Sequence, residues 1–428
     1  MTTLTSADHL NRDCKWVTSN PKALASIPEP NTWTTMLAKH PVFVAQRHID
    51  TMNELIQTIT ALSQDRQYQS LLEQKLPSIA SYPTTAKGVL FGYDFHLTPH
   101  GPKLIEVNTN AGAAFFNHIL NQSQQACCRT CHSLMRSPVE ESKLFEDRLL
   151  DMFLNEFNLE HPGRSLKTIA IVDENPEEQF LYPEFCLFRS MFESAGIQVF
   201  IAGPSELSYD DSQILYGNTK IDLIYNRHTD FYLEAPNLEH IRSAYLKQHV
   251  VLSPNPRVYG LTADKRLMSY WSDPEFLSQL NLSQKTKNLL RNTIPFTTEL
   301  SPANADFLWQ KRKQLFFKPA TGFGSRATYK GAKLTKKTWA SIVGSGKYIA
   351  QEYVPPTTRV IEHEGEAKSF KVDVRNYVYN GSNLMVSARL YRGQATNMKT
   401  PGGGFATVYS TAESTQKTKQ KTKGVRSI

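Results

Sequence analysis

The chain of 428 residues has no run of about eighteen apolar residues, so it offers no helix able to span a bilayer. Its opening stretch, MTTLTSADHLNRDCKW, lacks the basic and apolar regions of a signal peptide, and the expected location is the cytoplasm. It has only 5 cysteines, an odd number in a long chain, which argues against a disulfide framework. Three of them fall in CCRTCH, where Cys127, Cys128, Cys131 and His132 contain the haem-attachment spacing C-x-x-C-H and groups that zinc accepts. No second Cys/His pair stands nearby to complete a zinc site and haem attachment of this type needs an exported protein, so the expected reading is a helix carrying reduced thiols. The sequence also lacks a G-x-x-x-x-G-K-[ST] phosphate loop and a G-x-G-x-x-G dinucleotide fingerprint.

Strong charge of one sign is missing as well. Formal net charge is +8, but part of the excess sits in Lys417, Lys419, Lys421, Lys423 and Arg426. No stretch interleaves cations with stacking aromatics, so nucleic acid is not the expected partner. An anionic small ligand accounts for a mildly basic body. With 40% apolar and 11% aromatic residues the chain folds, and its length allows about two or three domains. The segment 411–428 is the exception: it has too few apolar residues to pack and is expected to be disordered.

What is present centres on FFKPATGFGSRATYKG, residues 316–331. Leu315, Phe316 and Phe317 suit a buried strand, and Lys318 emerges at its end. Gly322 and Gly324 let the following backbone approach a polyanion closely. Loop N–H groups, Ser325, Lys318 and Arg326 are then suited to phosphates. A glycine hairpin with a solvated lysine fits the same residues.

Upstream, HIDTMNELIQTITAL spaces Ile49, Met52, Leu55, Ile56, Ile59 and Leu62 as the apolar face of a helix, and residues 1 to about 85 read as mostly helical. Residues 89–95 and 103–107 read as a hairpin turning at about Pro99 to Pro102. That pairing brings Asp94 near Glu106 and Asn108, and the x between Glu106 and Asn108 sets both on one face. Two carboxylates and an amide are hard oxygen donors suited to Mg²⁺; a polar strand end gives the same pattern. After HPGRS the chain alternates LKTIAIVDENP, YPEFCLFRSMFESAG and IQVFIAG, a parallel βαβ unit, continued by strands in IDLIYNRHTDFYL and HVVLSPNP. Asp173, Glu174, Arg227, His228 and Asp230 fall at strand ends of that unit, where ligands often bind. Arg227 is the candidate to meet a substrate carboxylate, since its fork binds one bidentately. Lys265 lies near the start of a helix in TADKRLMSYW. Toward the C-terminus, Lys371, Asp373 and Arg375 alternate with Val372 and Val374, as in a charged sheet face with cross-strand ion pairs.

In this order the segments resemble the ATP-grasp superfamily, and specifically its circularly permuted branch, which includes glutathionylspermidine synthetase-like ligases. Lys265 and Lys318 look like the two phosphate lysines, and Gln351, Glu352, Tyr353 and Val354 like the hinge that reads the adenine edge. Arg375, Arg389 and Asn397, with the glycines of PGGG, are similar to groups on strands facing the transferred phosphoryl. Asp94, Glu106 and Asn108 match the metal ligands, displaced from the C-terminal end to about residue 100; the displacement is the permuted signature. The resemblance spans about residues 85 to 410. Glutathionylspermidine synthetases commonly carry arginine two residues before the first metal aspartate, whereas this chain has Gly92.

The resemblance implies a mixed α/β and α+β chain of circularly permuted ATP-grasp fold, with a doubly wound βαβ domain inserted between metal-site half and nucleotide lobe. Its expected parts are 1–150 (helical region and metal hairpin), 165–260 (substrate domain), 261–410 (nucleotide lobe and catalytic strands) and the tail 411–428. It further implies an ATP- and Mg²⁺-dependent carboxylate-amine or carboxylate-thiol ligase working through an acylphosphate, on a small-molecule or peptide carboxylate. A kinase acting on a hydroxyl, or a nucleotide-binding protein without catalysis, are the alternatives.

Overall fold

The computed structural model describes residues 36–123, 135–136, 142–322, 327–393, 396 and 400–411. Gly324, Ser325, Arg326, Asn397, the Cys127 to His132 cluster and the tail beyond Thr411 lie outside the described residues.

Strand β1 (Val42–Ala45) is a fully buried apolar run leading straight into α1 (Gln46–Gln64), which buries the six-residue stripe Ile49, Met52, Leu55, Ile56, Ile59 and Leu62. Asp65 then caps α2 (Arg66–Glu73) by accepting from the Tyr68 N–H at 2.8 Å. The expected hairpin follows as β2 (Phe91–Thr98) and β3 (Gly101–Asn108). It turns over Pro99 and His100, because Thr98 pairs with Gly101. Helix α3 (Ala114–Ser123), the short β4 (Met135–Arg136) and α4 (Ser142–Glu160) come next. The alternating region gives β5 (Thr168–Val172), α5 (Tyr182–Ser194) and β6 (Gln198–Ala202). Three short strands, β7 (Leu207–Tyr209), β8 (Ile214–Tyr216) and β9 (Thr219–Lys220), precede β10 (Leu223–Asn226), α6 (Glu239–Leu246) and β11 (Val251–Ser253).

Helices α7 (Pro256–Thr262), α8 (Leu267–Ser272), α9 (Pro274–Ser278) and α10 (Gln284–Thr293) lead to β12 (Thr297–Glu299) and α11 (Ala305–Lys311). The central segment is β13 (Leu315–Pro319), then β14 (Tyr329–Lys330), α12 (Lys336–Ser345) and β15 (Tyr348–Glu352). Gly346, at φ +62°, ends α12 in the left-handed conformation, whereas Gly344 stays within the helix. Last are β16 (Thr357–His363), β17 (Glu366–Tyr379), β18 (Ser382–Tyr391) and β19 (Gly404–Thr411).

These strands form separate sheets. The large one runs β1-β19-β18-β17-β2-β3, with β16 added to β17 and β4 to β19. A parallel sheet runs β11-β10-β5-β6, and a small antiparallel sheet runs β12-β15-β13-β14. Two features depart from the reading of the sequence. The mostly helical N-terminal region contains β1, which pairs in parallel with β19; a run of four apolar residues does not distinguish strand from helix. The three-stranded sheet β7-β8-β9 was not anticipated, because strands of two or three residues are too short to leave a period.

One apolar cluster joins Val89, Leu90, Ala111 and Tyr377 of the large sheet region to Ile169, Phe185, Tyr225 and Val251 of the parallel sheet region, so the two are packed as one body. The small sheet has its own cluster of Leu300, Leu308, Leu315, Phe317, Ile342 and Ala350. The candidate site lies where this lobe meets the body. Among the described residues no helix is long and apolar enough to cross a membrane.

Candidate functional site

The hairpin register sets Asp94 directly opposite Glu106, and Gly92 opposite Asn108. Between Asp94 and Phe95 the register slips, leaving Ile105 as an extra residue on β3. Strand β17 lies on the other side of β2 with Arg375 opposite Asp94, and β18 lies beyond it with Arg389 opposite Asp373. Cross-strand neighbours therefore stack two carboxylates and two guanidinium groups into one array.

Asp94 is 1% exposed and carries most of that array. Arg375 donates from Nε to Oδ1 at 2.6 Å and from Nη2 to Oδ2 at 2.7 Å. Arg389 adds a bond from Nη2 to Oδ2 at 2.8 Å, and donates from Nε to Asp373 Oδ1 at 2.6 Å. Thr396 completes the row by donating to Asp373 Oδ2 at 2.7 Å. Burial pushes the Asp94 carboxyl up, but Arg375 and then Arg389 outweigh it and hold it at about 2. The charged face read from the sequence does carry cross-strand ion pairs, but Asp373 and Arg375 are buried instead of solvated.

Gly92 has a physical reason to be glycine. A Cβ there would lie 2.7 Å from the Ala111 Cβ and 3.2 Å from Arg375 Nε. The space beside Asp94 that a side chain at 92 would enter is filled by the arginine of the neighbouring strand.

Lys318 reaches this array from the other lobe, and Lys265 faces it from the body. Lys318, at the end of β13, donates to the Ile105 carbonyl at 3.0 Å and to Gln351 Oε1 at 2.9 Å. The carbonyl it uses belongs to the residue that the bulge takes out of register. Burial, reinforced by nearby Lys265 and opposed by Glu106 and Asp94, lowers the Lys318 ammonium to about 8. Lys265 is not within a helix: it sits in the turn between α7 and α8 and donates to the Gly322 carbonyl at 2.5 Å. Its turn is pinned by Asp264, which accepts from Arg266 Nε at 2.9 Å and from the Tyr232 hydroxyl at 2.6 Å. In the hinge, the backbone N–H groups of Glu352 and Tyr353 are used by Phe296 and Gln314 carbonyls at 2.7 and 2.8 Å. The Val354 carbonyl is bonded to His96 Nδ1 at 2.7 Å.

One pocket is lined by Asp94, Glu106, Lys265, Lys318, Gly322, Gln351, Glu352, Tyr353, Val354 and Arg389, all named from the sequence. His96, Ile105, Phe316, Asp373, Tyr391 and Thr396 complete much of its wall. His96 was legible in principle, being two residues beyond Asp94 on the same strand face. Ile105 was not, since nothing in the sequence marks the bulge. Arg375 and Asn108 stand behind the lining, each bonded to Asp94, Asn108 through its Nδ2 at 3.3 Å.

Arg227 is not brought into this pocket. It is 5% exposed, lies between the Phe185 and Tyr225 rings, and donates to the Asn110 carbonyl at 2.8 Å. There it ties the segment after β3 to the parallel sheet. Neighbouring Glu184 accepts from the Ala113 and Phe115 N–H groups at 2.7 and 3.0 Å, capping α3.

Among the described residues no three His, Cys, Asp or Glu side chains gather as a metal cluster. The candidate set is instead two carboxylates and an amide. Asn108 donates its Nδ2 to Asp94, which leaves its amide oxygen as a donor to a cation, and Glu106 faces the pocket across from Asp94. These hard oxygens fit a divalent cation such as Mg²⁺.

No family model and no curated protein matches the sequence. Solved structures do match its shape. A glutathione synthetase-like effector from Globodera pallida, in its apo form, has a TM-score of 0.51 at 12% identity, covering 88% of this chain and 90% of that one. A protein described as a γ-glutamylcysteine synthetase from Methylobacillus flagellatus has a TM-score of 0.46 at 11% identity, covering 83% and 87%. The chain has a mixed α/β fold that it shares with the glutathione synthetase-like effector.

Proposed function

We propose that the chain is an ATP- and Mg²⁺-dependent ligase that joins a carboxylate to an amine or thiol through an acylphosphate, in a circularly permuted ATP-grasp arrangement akin to the glutathionylspermidine synthetase-like branch. The observation that supports this reading best is the pocket itself, where two lysines, the carboxylates of Asp94, Glu106 and Asp373, an arginine and a hinge face one space between two lobes. Residues from distant parts of the sequence, Asp94 and Arg389 among them, meet there.

In this reading Lys265 and Lys318 hold the nucleotide phosphates, and residues 351–354 border the base. Asp94, Glu106 and Asn108 would hold Mg²⁺, which supplies neutralisation of phosphate charge when bound. Phosphoryl transfer needs alignment and charge compensation more than a covalent group on the protein. Arg389, with Arg375 behind it, supplies fixed positive charge toward the group in transfer, and the ion pairs with Asp94 and Asp373 hold those guanidiniums in place before substrate arrives. Gly322 borders the phosphate side of the pocket, and the roles of Gly324, Ser325 and Asn397 rest on the sequence resemblance. A free carboxylate of a small molecule or peptide is the substrate class; Arg227 remains a candidate only for a substrate group that reaches the parallel sheet.

Calorimetric titration with a non-hydrolysable ATP analogue, with and without Mg²⁺, tests the reading on wild type and Lys318→Ala. Metal-dependent binding that the variant loses is the expected result. A folded wild type that binds no nucleotide removes the proposal. Free phosphate release in a screen of carboxylates and amines distinguishes a ligase from a kinase, which leaves a stable phosphoester.

A further inference from the structure

His96 is part of the pocket wall and has no place in the reading above. It sits on β2, two residues past Asp94 on the same face, so about 7 Å along the strand from the carboxylate array. On its other side it touches the hinge, with Nδ1 2.7 Å from the Val354 carbonyl. A carbonyl only accepts, so Nδ1 carries the proton in this bond. The neutral ring then presents Nε2 as an acceptor, and among the described residues no partner is bonded to it.

We propose that His96 is a sugar-reading residue, whose Nε2 accepts a hydrogen bond from a ribose hydroxyl of the bound nucleotide. This rests on the nucleotide reading of the pocket. The covalent order of a nucleotide puts the sugar between base and phosphates, and His96 stands between the hinge and the Asp94–Lys318 end in the same sense. An unprotonated acceptor is unsuited to a phosphate oxygen but suits a hydroxyl. The hinge bond fixes which nitrogen faces the ligand.

The test compares ADP with 2′,3′-dideoxy-ADP, both with Mg²⁺, by calorimetry on wild type, His96→Asn and His96→Phe. An asparagine amide keeps a donor for the Val354 carbonyl and removes the acceptor at Nε2; phenylalanine keeps the ring and removes both nitrogens. Wild type is expected to prefer ADP by about two- to tenfold, the worth of one hydrogen bond. Both variants are expected to bring that ratio close to one. A purely structural role for His96 would weaken both ligands together and leave the ratio intact. The proposal is overturned if wild type binds the two ligands within twofold, which needs no variant to fold, or if a folded His96→Asn keeps the wild-type ratio. Absence of binding of either ligand to wild type instead removes the nucleotide reading on which it stands.

Discussion

On the large sheet, the pocket's charges are held by their neighbours in register: Arg375 lies opposite Asp94, Arg389 opposite Asp373, and each guanidinium is bonded where the ladder puts it. On the small sheet the corresponding groups are held by what lies across the cleft. Lys318 donates to Ile105 of β3, the Val354 carbonyl bonds His96 of β2, and Gly322 accepts from Lys265 of the body. Apolar packing follows the same division, since the small sheet buries its own cluster apart from those of the body. One side of the site is held within a single sheet, and the other by contacts across the cleft between the lobes. Damage to the first should appear as lost stability, and damage to the second as lost binding.

The largest effect is expected from Asp94→Ala. It leaves Arg375 buried without its counter-ion and takes from Arg389 one of two, at a cost of about 3–5 kcal/mol by analogy with other broken buried pairs. A thermal melt should show the transition move down by several degrees; an unchanged melt would mean the array contributes nothing to folding. The pH dependence has a defined sign. Because the Asp94 carboxyl is held at about 2, below its unfolded value, its contribution is fully present above about pH 4 and is lost as pH falls toward 2.

Lys318→Met sharpens the contrast from the other side. It removes a cation whose folded-state ammonium is already disfavoured by burial, so the melting temperature should hold or rise. Nucleotide affinity should fall about 10- to 100-fold, the loss expected for a charged hydrogen bond to phosphate. A variant that melts early and binds normally would reverse the division between the two sides.

Gly92→Ala is the next smaller break. Its Cβ would meet Ala111 at 2.7 Å and crowd Arg375 at 3.2 Å, an overpacking that costs about 1–3 kcal/mol. Ala111→Gly should return much of that stability in the double variant, because it clears the tighter of the two contacts. Additive losses in the double-mutant cycle would place the strain elsewhere.

The sequence made the carriers of charge legible and left their partners hidden. Period-two spacing set Glu106 and Asn108 on one face, and the apolar run before Lys318 marked a strand end; Glu106 and Lys318 line the pocket, with Asn108 behind it bonded to Asp94. Arg375 was foreseen on the correct face, but its bond to Asp94 depends on β17 lying beside β2, a pairing across 281 positions that no local pattern encodes. The bulge at Ile105 was invisible for a related reason: an extra residue in a ladder shows only when the partner strand is known. Strand β1 was too short to have a period, and Arg227 was misleading because a strand-end arginine looks alike whether it meets a ligand or, as here, the Asn110 carbonyl.

The smallest effect, and the one that most directly probes the contacts across the cleft, is the pH dependence of nucleotide binding. With the Lys318 ammonium lowered to about 8 in the free protein, the lysine is mostly charged at pH 7 and mostly neutral at pH 9. A bound phosphate favours the charged form, so above about pH 8 binding must draw a proton onto Lys318, and the dissociation constant should rise toward tenfold per pH unit. Below about pH 7 the lysine imposes no further dependence. Lys318→Arg should flatten the profile, because a guanidinium stays charged throughout this range. If the wild-type profile is flat from pH 7 to 9 while Lys318→Met still loses affinity, the ammonium is charged in the open protein. The desolvation that lowers it would then belong to a closed arrangement reached only with ligand, and closure would follow binding.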